Sequence, residues 1–268
     1  MKRTLGNRLA AIVLSVFVTL VAIWLVAPSL VIVPLSFTDR PSFVFPPQGW
    51  SLDWYRNILD DPRWLNALGT SLRVALWVTV LAVLLGTAAA LALDRLPRKL
   101  SGAFQMLLLS PLLAPQIVVA VAIFAQFIRW RIDGTELGIV CAHLILAIPY
   151  VLVTVSASLS KYDRRLDRAA DSLGARPWER LVTVTLPGIA PGVAIGAVFA
   201  FVTSFDEAVI ALFIQSPTTR TLPVQMYNSV TVEIDPTIAA ISSIILAVTT
   251  AVLLIPLLGG KKKRVRSS

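Results

Sequence analysis

Six apolar stretches, each long enough to cross a lipid bilayer as a helix, account for more than half of this chain of 268 residues. They cover about 9–35, 71–93, 103–128, 137–159, 189–214 and 238–258. An α-helix needs roughly 17–25 residues to cross the hydrocarbon core, and lipid offers an open chain no other way to satisfy its backbone hydrogen bonds. The pattern therefore predicts an all-α integral membrane protein, with six transmembrane helices in one domain that covers residues 1–268.

The composition excludes an ordinary soluble domain and a nucleic-acid-binding one. Hydrophobic residues make up 56% of the chain, whereas soluble domains average about 45–50%. The formal charge of +9 comes from Lys and Arg residues that flank the apolar stretches, and not from a basic face of the kind that binds nucleic acid. The one cysteine, Cys141, lies in an apolar stretch, so an internal disulfide is excluded.

The distribution of Lys and Arg predicts the orientation of the helices. With the N-terminus inside, 17 of the 24 basic residues fall in cytoplasmic segments and seven on the other side. Cytoplasmic loops carry the excess of basic residues in membrane proteins. Both termini and the polar segment 162–187 are therefore predicted to be cytoplasmic, and the long loop 36–70 to be external.

The polar segment 162–187, here called the island, stands between two apolar stretches and predicts two short helices. Gly174 is placed to end the first helix, because glycine readily takes the left-handed conformation found at helix ends. Pro177 suits the first turn of the second helix, and Pro187 is predicted to stop that helix. The island is therefore expected to be a compact docking element on the membrane surface.

The spacing within the island resembles the EAA loop of ABC importer permeases, by which the membrane subunit grips its ATPase. The match consists of two adjacent alanines, a glycine after three more residues and a Leu-Pro pair at the end. The resemblance implies that residues 160–187 couple the chain to an ATPase, through Asp167, Arg168, Ala169, Ala170, Asp171, Gly174, Leu186 and Pro187. Since Arg168 stands where the family has glutamate, we expect Asp167 or Asp171 to supply the negative contact.

Two adjacent acids, Asp206 and Glu207, lie inside the fifth apolar stretch. A carboxylate that faces lipid costs about 2.5–3.5 kcal/mol, so such residues normally face a cavity, a partner chain or a substrate path. A substrate path is the interpretation we favour. The alternative is a structural ion pair with an arginine of this chain or of a partner subunit.

The chain lacks the residue patterns of an enzyme. His143, the only histidine, has no acidic or cysteine partner at ligand spacing and is interpreted as a helix-packing residue. The serines of the apolar stretches have no plausible base nearby. No Gly-x4-Gly-Lys-Ser/Thr phosphate loop occurs in the sequence. We therefore expect no catalytic residue, no metal site and no ATP hydrolysis by this chain.

The segment from about 160 to 258 resembles the polyamine branch of ABC permeases, the spermidine/putrescine type. The resemblance is carried by Ser204-Phe205-Asp206-Glu207, by the block 214–228 and by the block 235–240. It implies a type I ABC importer permease fold and a small cationic solute such as a polyamine, which Asp206 and Glu207 would meet. Relatives with this pattern also carry opines, amino-acid derivatives, aminophosphonates and ferric iron, and these substrates stay open.

The same resemblance implies an assembly in a bacterial inner membrane. A second permease chain would complete the pore, two copies of an ABC ATPase would bind the ATP and Mg²⁺, and a periplasmic solute-binding protein would deliver the solute. This chain would hold no cofactor. The alternative class is an ion-coupled secondary transporter or channel that uses Asp206 and Glu207, but it leaves the island unexplained, and no inverted repeat is visible.

Overall fold

The computed structural model describes residues 5–259, and both chain ends, including the basic tail 261–266, lie outside that range. Within it the chain is helical, and two short π-helical turns, Leu181–Thr185 and Ser229–Glu233, interrupt the α-helices. The α-helices are α1 (Leu5–Leu35), α2 (Asp53–Asp60), α3 (Pro62–Arg95), α4 (Arg98–Leu113), α5 (Gln116–Trp130), α6 (Glu136–Lys161), α7 (Arg165–Ser172), α8 (Pro177–Arg180), α9 (Leu186–Phe205), α10 (Val209–Ile214), α11 (Leu222–Asn228) and α12 (Thr237–Gly259).

The described chain divides into two compact units, and the first comprises its residues up to 62 and from 226 onward. In this unit α12 packs against α1 and α2. The side-chain amide of Asn57 donates a 2.8 Å hydrogen bond to the hydroxyl of Thr237, which fixes α2 to the start of α12. The apolar side chains of α1 are largely exposed between Ile12 and Val31, as expected for a helix whose solvent is lipid.

The second unit, Arg63–Gln225, carries both sequence motifs and has a core built chiefly around α6. The closest pair of helices is α6 and α9, and small residues explain how near they come. A Cβ atom added at Gly196 of α9 would lie 2.6 Å from Oγ1 of Thr154 on α6. A Cβ atom at Gly86 of α3 would lie 2.7 Å from Cβ of Val151, which is also on α6. Small residues at helix contacts are the usual way in which membrane helices pack.

Four helical segments are long and apolar enough to cross a membrane: Ala11–Leu35, Pro62–Arg95, Glu136–Lys161 and Pro177–Phe205. A fifth crossing is reached if the bent pair α4 and α5 is counted as one. The predicted sixth span falls on α12, whose described apolar part, Thr237–Ala251, is shorter than a full crossing. The all-helical membrane class is thus confirmed, and the count of six stays a prediction.

The span predicted over 103–128 is broken in the structure, where α4 and α5 meet at an angle of 99°. The break lies at Ala114 and Pro115, where Ala114 is extended with ψ 146°. Proline supplies no N–H to the helix and pushes the preceding residue toward extended backbone. The polar first residue of α5, Gln116, follows directly.

The fifth predicted span, 189–214, does not coincide with one helix of the structure. The helical path is continuous from Pro177 through Phe205 and then breaks at residues 206–208 before α10. Pro187 therefore does not stop a helix. The preceding π-helical turn, in which the Leu186 N–H donates to the carbonyl of Leu181 five residues earlier, is wider than an α-turn and accommodates a proline ring that would crowd the carbonyl of an ordinary turn.

Candidate functional site

The island folds into two short helices, α7 and α8, that meet at Gly174. This residue has φ +83°, and its N–H donates to the carbonyl of Asp171. A Cβ atom at Gly174 would meet nothing within 4 Å. Glycine is therefore required here for its left-handed backbone, which residues with a side chain adopt at a cost. The space beside Gly174 is open to a partner.

Asp167 is half-buried and ties the island to the helices on either side of it. Its Oδ1 accepts hydrogen bonds from the Tyr162 hydroxyl at 2.8 Å and from Oγ1 of Thr185 at 3.0 Å. Tyr162 follows the last residue of α6, and Thr185 ends the π-helical turn that leads into α9. Burial and the hydrogen bond to Asp167 raise the pKa of Tyr162, so its hydroxyl keeps the proton that it donates.

Asp171 holds the two helices of the island together. Its two carboxylate oxygens each lie 2.5 Å from Nη1 of Arg180, the last residue of α8. The other island acids bind backbone N–H groups, Asp163 that of Arg165 and Glu179 that of Arg176, each at 2.9 Å. Every carboxylate of the island is thus engaged within the chain, and Asp171 is the exposed one of the two that we expected to contact an ATPase.

The outward face of the island is apolar and basic. Three large apolar side chains on this face are mostly exposed, Leu166 at 52%, Leu173 at 88% and Trp178 at 72%. Arg168, Ala169 and Pro187 are exposed beside them, whereas Ala170 and Leu186 are half-buried. No segment of the described chain covers this face, and protruding apolar side chains of this kind mark protein interaction sites.

A cavity of about 240 Å³ lies between the island and the end of α3. Arginines are the commonest charged residues in its wall, namely Arg95, Arg164, Arg168 and Arg180, together with Asp94 and Asp167. Arg164 forms an ion pair with Asp94 at the end of α3. The island is therefore fastened to α3 as well as to α6 and α9.

The break between α9 and α10 separates the surroundings of the two adjacent acids. Glu207 is buried, and its Oε1 accepts a 2.7 Å hydrogen bond from the N–H of Ile210 in the first turn of α10. Its Oε2 accepts a hydrogen bond from the side-chain amide of Gln116. Asp206 is exposed, and its carboxylate has no partner among residues 5–259. In the described part of the chain, no arginine lies beside either acid to form the structural ion pair that was the alternative interpretation.

Gln116 was not singled out from the sequence. The one local signal was a polar amide directly after a proline inside an apolar stretch. His143, by contrast, lies where a packing residue should. It is 1% exposed on α6, and its Nδ1 is 3.0 Å from the hydroxyl of Ser204 on α9. Within residues 5–259 no cluster of His, Cys, Asp and Glu could hold a metal ion.

Comparison with known sequences places these features in a transport family. The family described as binding-protein-dependent transport system inner membrane component matches residues 82–263. The putrescine transport system permease protein PotI of Escherichia coli (strain K12) is 34% identical over 230 residues, which cover 83% of this chain and 82% of that protein.

Two further relatives cover similar shares. The spermidine/putrescine transport system permease protein PotC of Escherichia coli (strain K12) is 29% identical over 87% of this chain and 88% of its own length. The putative 2-aminoethylphosphonate transport system permease protein PhnV of Salmonella typhi is 29% identical over 83% of this chain and 84% of its own length.

A solved structure supports the same fold. A chain of a bacterial ABC transporter involved in the import of the acidic polysaccharide alginate aligns with a TM-score of 0.72, over 98% of this chain and all of that chain. The sequence identity is 13%, so this likeness bears on the arrangement of the helices and not on the solute.

Proposed function

The chain belongs to the family of binding-protein-dependent transport system inner membrane components, and from this we propose that it forms half of the translocation pathway of an ATP-driven importer of a small cationic solute. It is an ABC importer permease subunit, most similar to polyamine permeases. In our proposal it is one permease domain of six spans in a bacterial inner membrane, with both termini and the island in the cytoplasm.

The assembly that we propose has four kinds of component. A second, related permease chain completes the pathway, and two copies of an ABC ATPase lie beneath the membrane and bind ATP and Mg²⁺. A periplasmic binding protein delivers the solute from outside. The chain itself contributes no ATPase site in this proposal, in keeping with the lack of a phosphate loop in its sequence.

The island is the proposed contact with the ATPase. Its exposed Leu173 and Trp178 supply the apolar docking surface, and the open space at Gly174 admits a partner. A push on α7 passes through Asp167 to Tyr162 at the end of α6 and to Thr185 before α9. Since α6 and α9 pack closely, they shift together, and nucleotide biases the pathway between inward-open and outward-open packings.

The observation that carries the proposed solute class is the state of Asp206. This carboxylate lies at a break in a span, where a charge is costly unless it meets a polar path or a cation, and it is exposed without a partner in the described chain. An ammonium group satisfies such a carboxylate. Putrescine and spermidine, named for PotI and PotC, and 2-aminoethylphosphonate, named for PhnV, all carry one.

The experiment that tests the proposal is uptake by the complete complex in liposomes. Labelled putrescine, spermidine and 2-aminoethylphosphonate are compared, each with its loaded binding protein and with ATP inside. We expect ATP-dependent uptake of at least one of these ammonium-bearing solutes and its loss in Asp206→Asn. Uptake that runs without ATP and follows an ion gradient identifies the ion-coupled class instead.

A further inference from the structure

Two helix breaks of the second unit meet at one hydrogen bond. The first lies between α4 and α5, directly before Gln116, and the second lies between α9 and α10, at residues 206–208. The side-chain amide of Gln116 donates to Oε2 of Glu207. Irregular backbone within a membrane persists only where other groups of the protein satisfy it, and at the second break Glu207 accepts the backbone N–H of Ile210.

The half-helices that leave these breaks form a fastened pair. The rings of Phe124 on α5 and Phe213 on α10 lie 6.4 Å apart. Beyond them the N–H of Gly134 donates to the carbonyl of Ile214 at 2.8 Å. The hydroxyls of Ser216 and Thr219 both donate to the carbonyl of Gly134 at 2.9 Å. The contact between Gln116 and Glu207 is therefore one end of a continuous seam and not an isolated surface contact.

Both oxygens of the Glu207 carboxylate are engaged by this seam. Oε1 caps α10 by accepting the N–H of Ile210, and Oε2 accepts the amide of Gln116. Hydrogen bonds from neutral donors stabilise a carboxylate without a counter-ion. Glu207 is thus held by neutral donors of the chain itself, whereas the neighbouring Asp206 is exposed.

We propose that Gln116 is a positioning residue for solute recognition: by binding Glu207 at the junction of the two helix breaks, it commits that carboxylate to the protein and leaves Asp206 as the acid that meets the cation. This inference rests on the proposed function, in which Asp206 contacts a cationic solute. Gln116 itself does not touch the solute. Its effect on transport passes entirely through the side chain of Glu207.

The chemistry of the pair gives a decisive exchange experiment. Gln116→Glu places a second carboxylate against Oε2 of Glu207, and two like charges at hydrogen-bond distance repel. Glu207→Gln keeps an oxygen for the N–H of Ile210 and turns the other group into an amide, which pairs with the amide of Gln116 after that amide rotates. In the exchanged pair, Gln116→Glu with Glu207→Gln, one amide again faces one carboxylate.

The test measures uptake of labelled putrescine, spermidine and 2-aminoethylphosphonate by the complete complex in liposomes, and KM and kcat are determined for whichever the wild type carries. We expect Gln116→Glu to lower kcat/KM by about tenfold, and the exchanged pair to recover to the level of Glu207→Gln alone, since contacting residues show coupling of this size. The matched control is Gln126→Glu, which adds the same charge to α5 at a residue with no hydrogen-bond partner in the described chain. Glu207→Gln should not correct the loss that this control causes.

Each outcome bears on one proposal. If Gln116→Glu fails to assemble with the ATPase, recovery of the assembly by Glu207→Gln is the readout, and it is again expected. An exchanged pair that stays as impaired as Gln116→Glu, in uptake or in assembly, refutes the positioning role. The proposed function is refuted if the wild-type complex takes up none of the three solutes, or if the Asp206→Asn complex takes them up normally. The pairing of Gln116 with Glu207 is then judged by assembly alone.

Discussion

The Tyr162 hydroxyl donates a 2.8 Å hydrogen bond to Asp167, and through it the end of α6 is joined to the island. The ring of Tyr162 lies so close to Gly188 in the first turn of α9 that no Cβ atom fits there. One side chain thus touches the end of one membrane helix, the docking element and the start of the next helix. A movement of the island cannot leave α6 and α9 unaffected.

Removing this hydroxyl should weaken the coupling between ATP hydrolysis and transport. A hydrogen bond of this kind contributes about 1 kcal/mol, so Tyr162→Phe should assemble normally, yet hydrolyse more ATP for each solute transported. The measurement is the ratio of phosphate released to solute accumulated in liposomes. Tyr150→Phe is the matched control, because Tyr150 also lies on α6 and stacks on Phe199 through its ring. An unchanged ratio in Tyr162→Phe would rule out Tyr162 as a link.

A substitution at Gly174 should be tolerated according to how readily the new residue adopts left-handed backbone. Its size should matter little within this chain, because a Cβ atom there would meet nothing within 4 Å. Gly174→Val should insert into the membrane and lose ATPase binding or solute-stimulated hydrolysis. Gly174→Asn should retain more of both, since asparagine adopts this conformation at lower cost. Co-purification with the ATPase measures the difference. If the asparagine variant loses as much as the valine variant, then the partner fills the space at Gly174 and the backbone alone is not the cause.

Asp171 is the acid that we expect to contact the ATPase in place of the missing glutamate. Its ion pair with Arg180 is open to solvent on the Asp171 side, where the side chain is 47% exposed against 24% for Arg180, and solvent-screened pairs contribute about 0–1 kcal/mol. Asp171→Asn should therefore leave the thermal stability of the permease nearly unchanged. It should nevertheless weaken ATPase binding, measured by co-purification at rising salt concentration.

The control is Asp53→Asn, which breaks the exposed pair with Arg56 on α2, far along the chain from the island. Asp167→Asn is a different case, because Asp167 is bonded to Tyr162 and Thr185. It should lower coupling while ATPase binding persists. Normal binding and normal transport in both island variants would exclude the compensation for Arg168.

The orientation can be tested by labelling single cysteines in a Cys141→Ser background. Residue 176 is predicted to be cytoplasmic and residue 47 external, because basic residues concentrate on the cytoplasmic side. An impermeant thiol reagent applied to intact spheroplasts should label a cysteine at Pro47 and spare one at Arg176 until the membrane is opened. Labelling of position 176 from outside would invert the topology.

The sequence predicts the existence of the long helices but not their breaks. Apolar length alone indicates a span, and α3 and α6 follow it. Proline did not reveal the break at residue 115, because Pro149 in α6 and Pro191 in α9 lie within continuous helices. The second break depends on a side chain of Glu207 that binds the backbone of α10 and an amide 91 residues away in sequence. Such a tertiary contact leaves no local pattern.

The island was more predictable, because its determinants are local. Gly174 sets the turn and Pro177 the start of α8, as the sequence indicates. The sequence could not predict that Asp171 and not Asp167 faces outward, because Asp167 is held by the hydroxyls of Tyr162 and Thr185, which the fold brings to it. For the same reason the sequence could not separate Asp206 from Glu207, which are adjacent and chemically alike.

The final prediction separates these two acids by function. Asp206→Asn keeps the size of the side chain and removes its charge, and because Asp206 has no partner in the described chain, the variant should assemble and melt like the wild type. Its uptake of a cationic solute should fall about tenfold or more, the effect of losing one charge-assisted contact of roughly 1.5–3 kcal/mol. Glu207→Gln should behave in the opposite way. It should lower the melting temperature of the complex, because a neutral amide binds Ile210 and Gln116 by weaker hydrogen bonds than the carboxylate does, and it should change KM less. Transport by proteoliposomes and thermal melting of the purified complex distinguish the two patterns. If Asp206→Asn lowers stability while Glu207→Gln abolishes uptake without any effect on stability, the roles assigned to the two carboxylates are reversed.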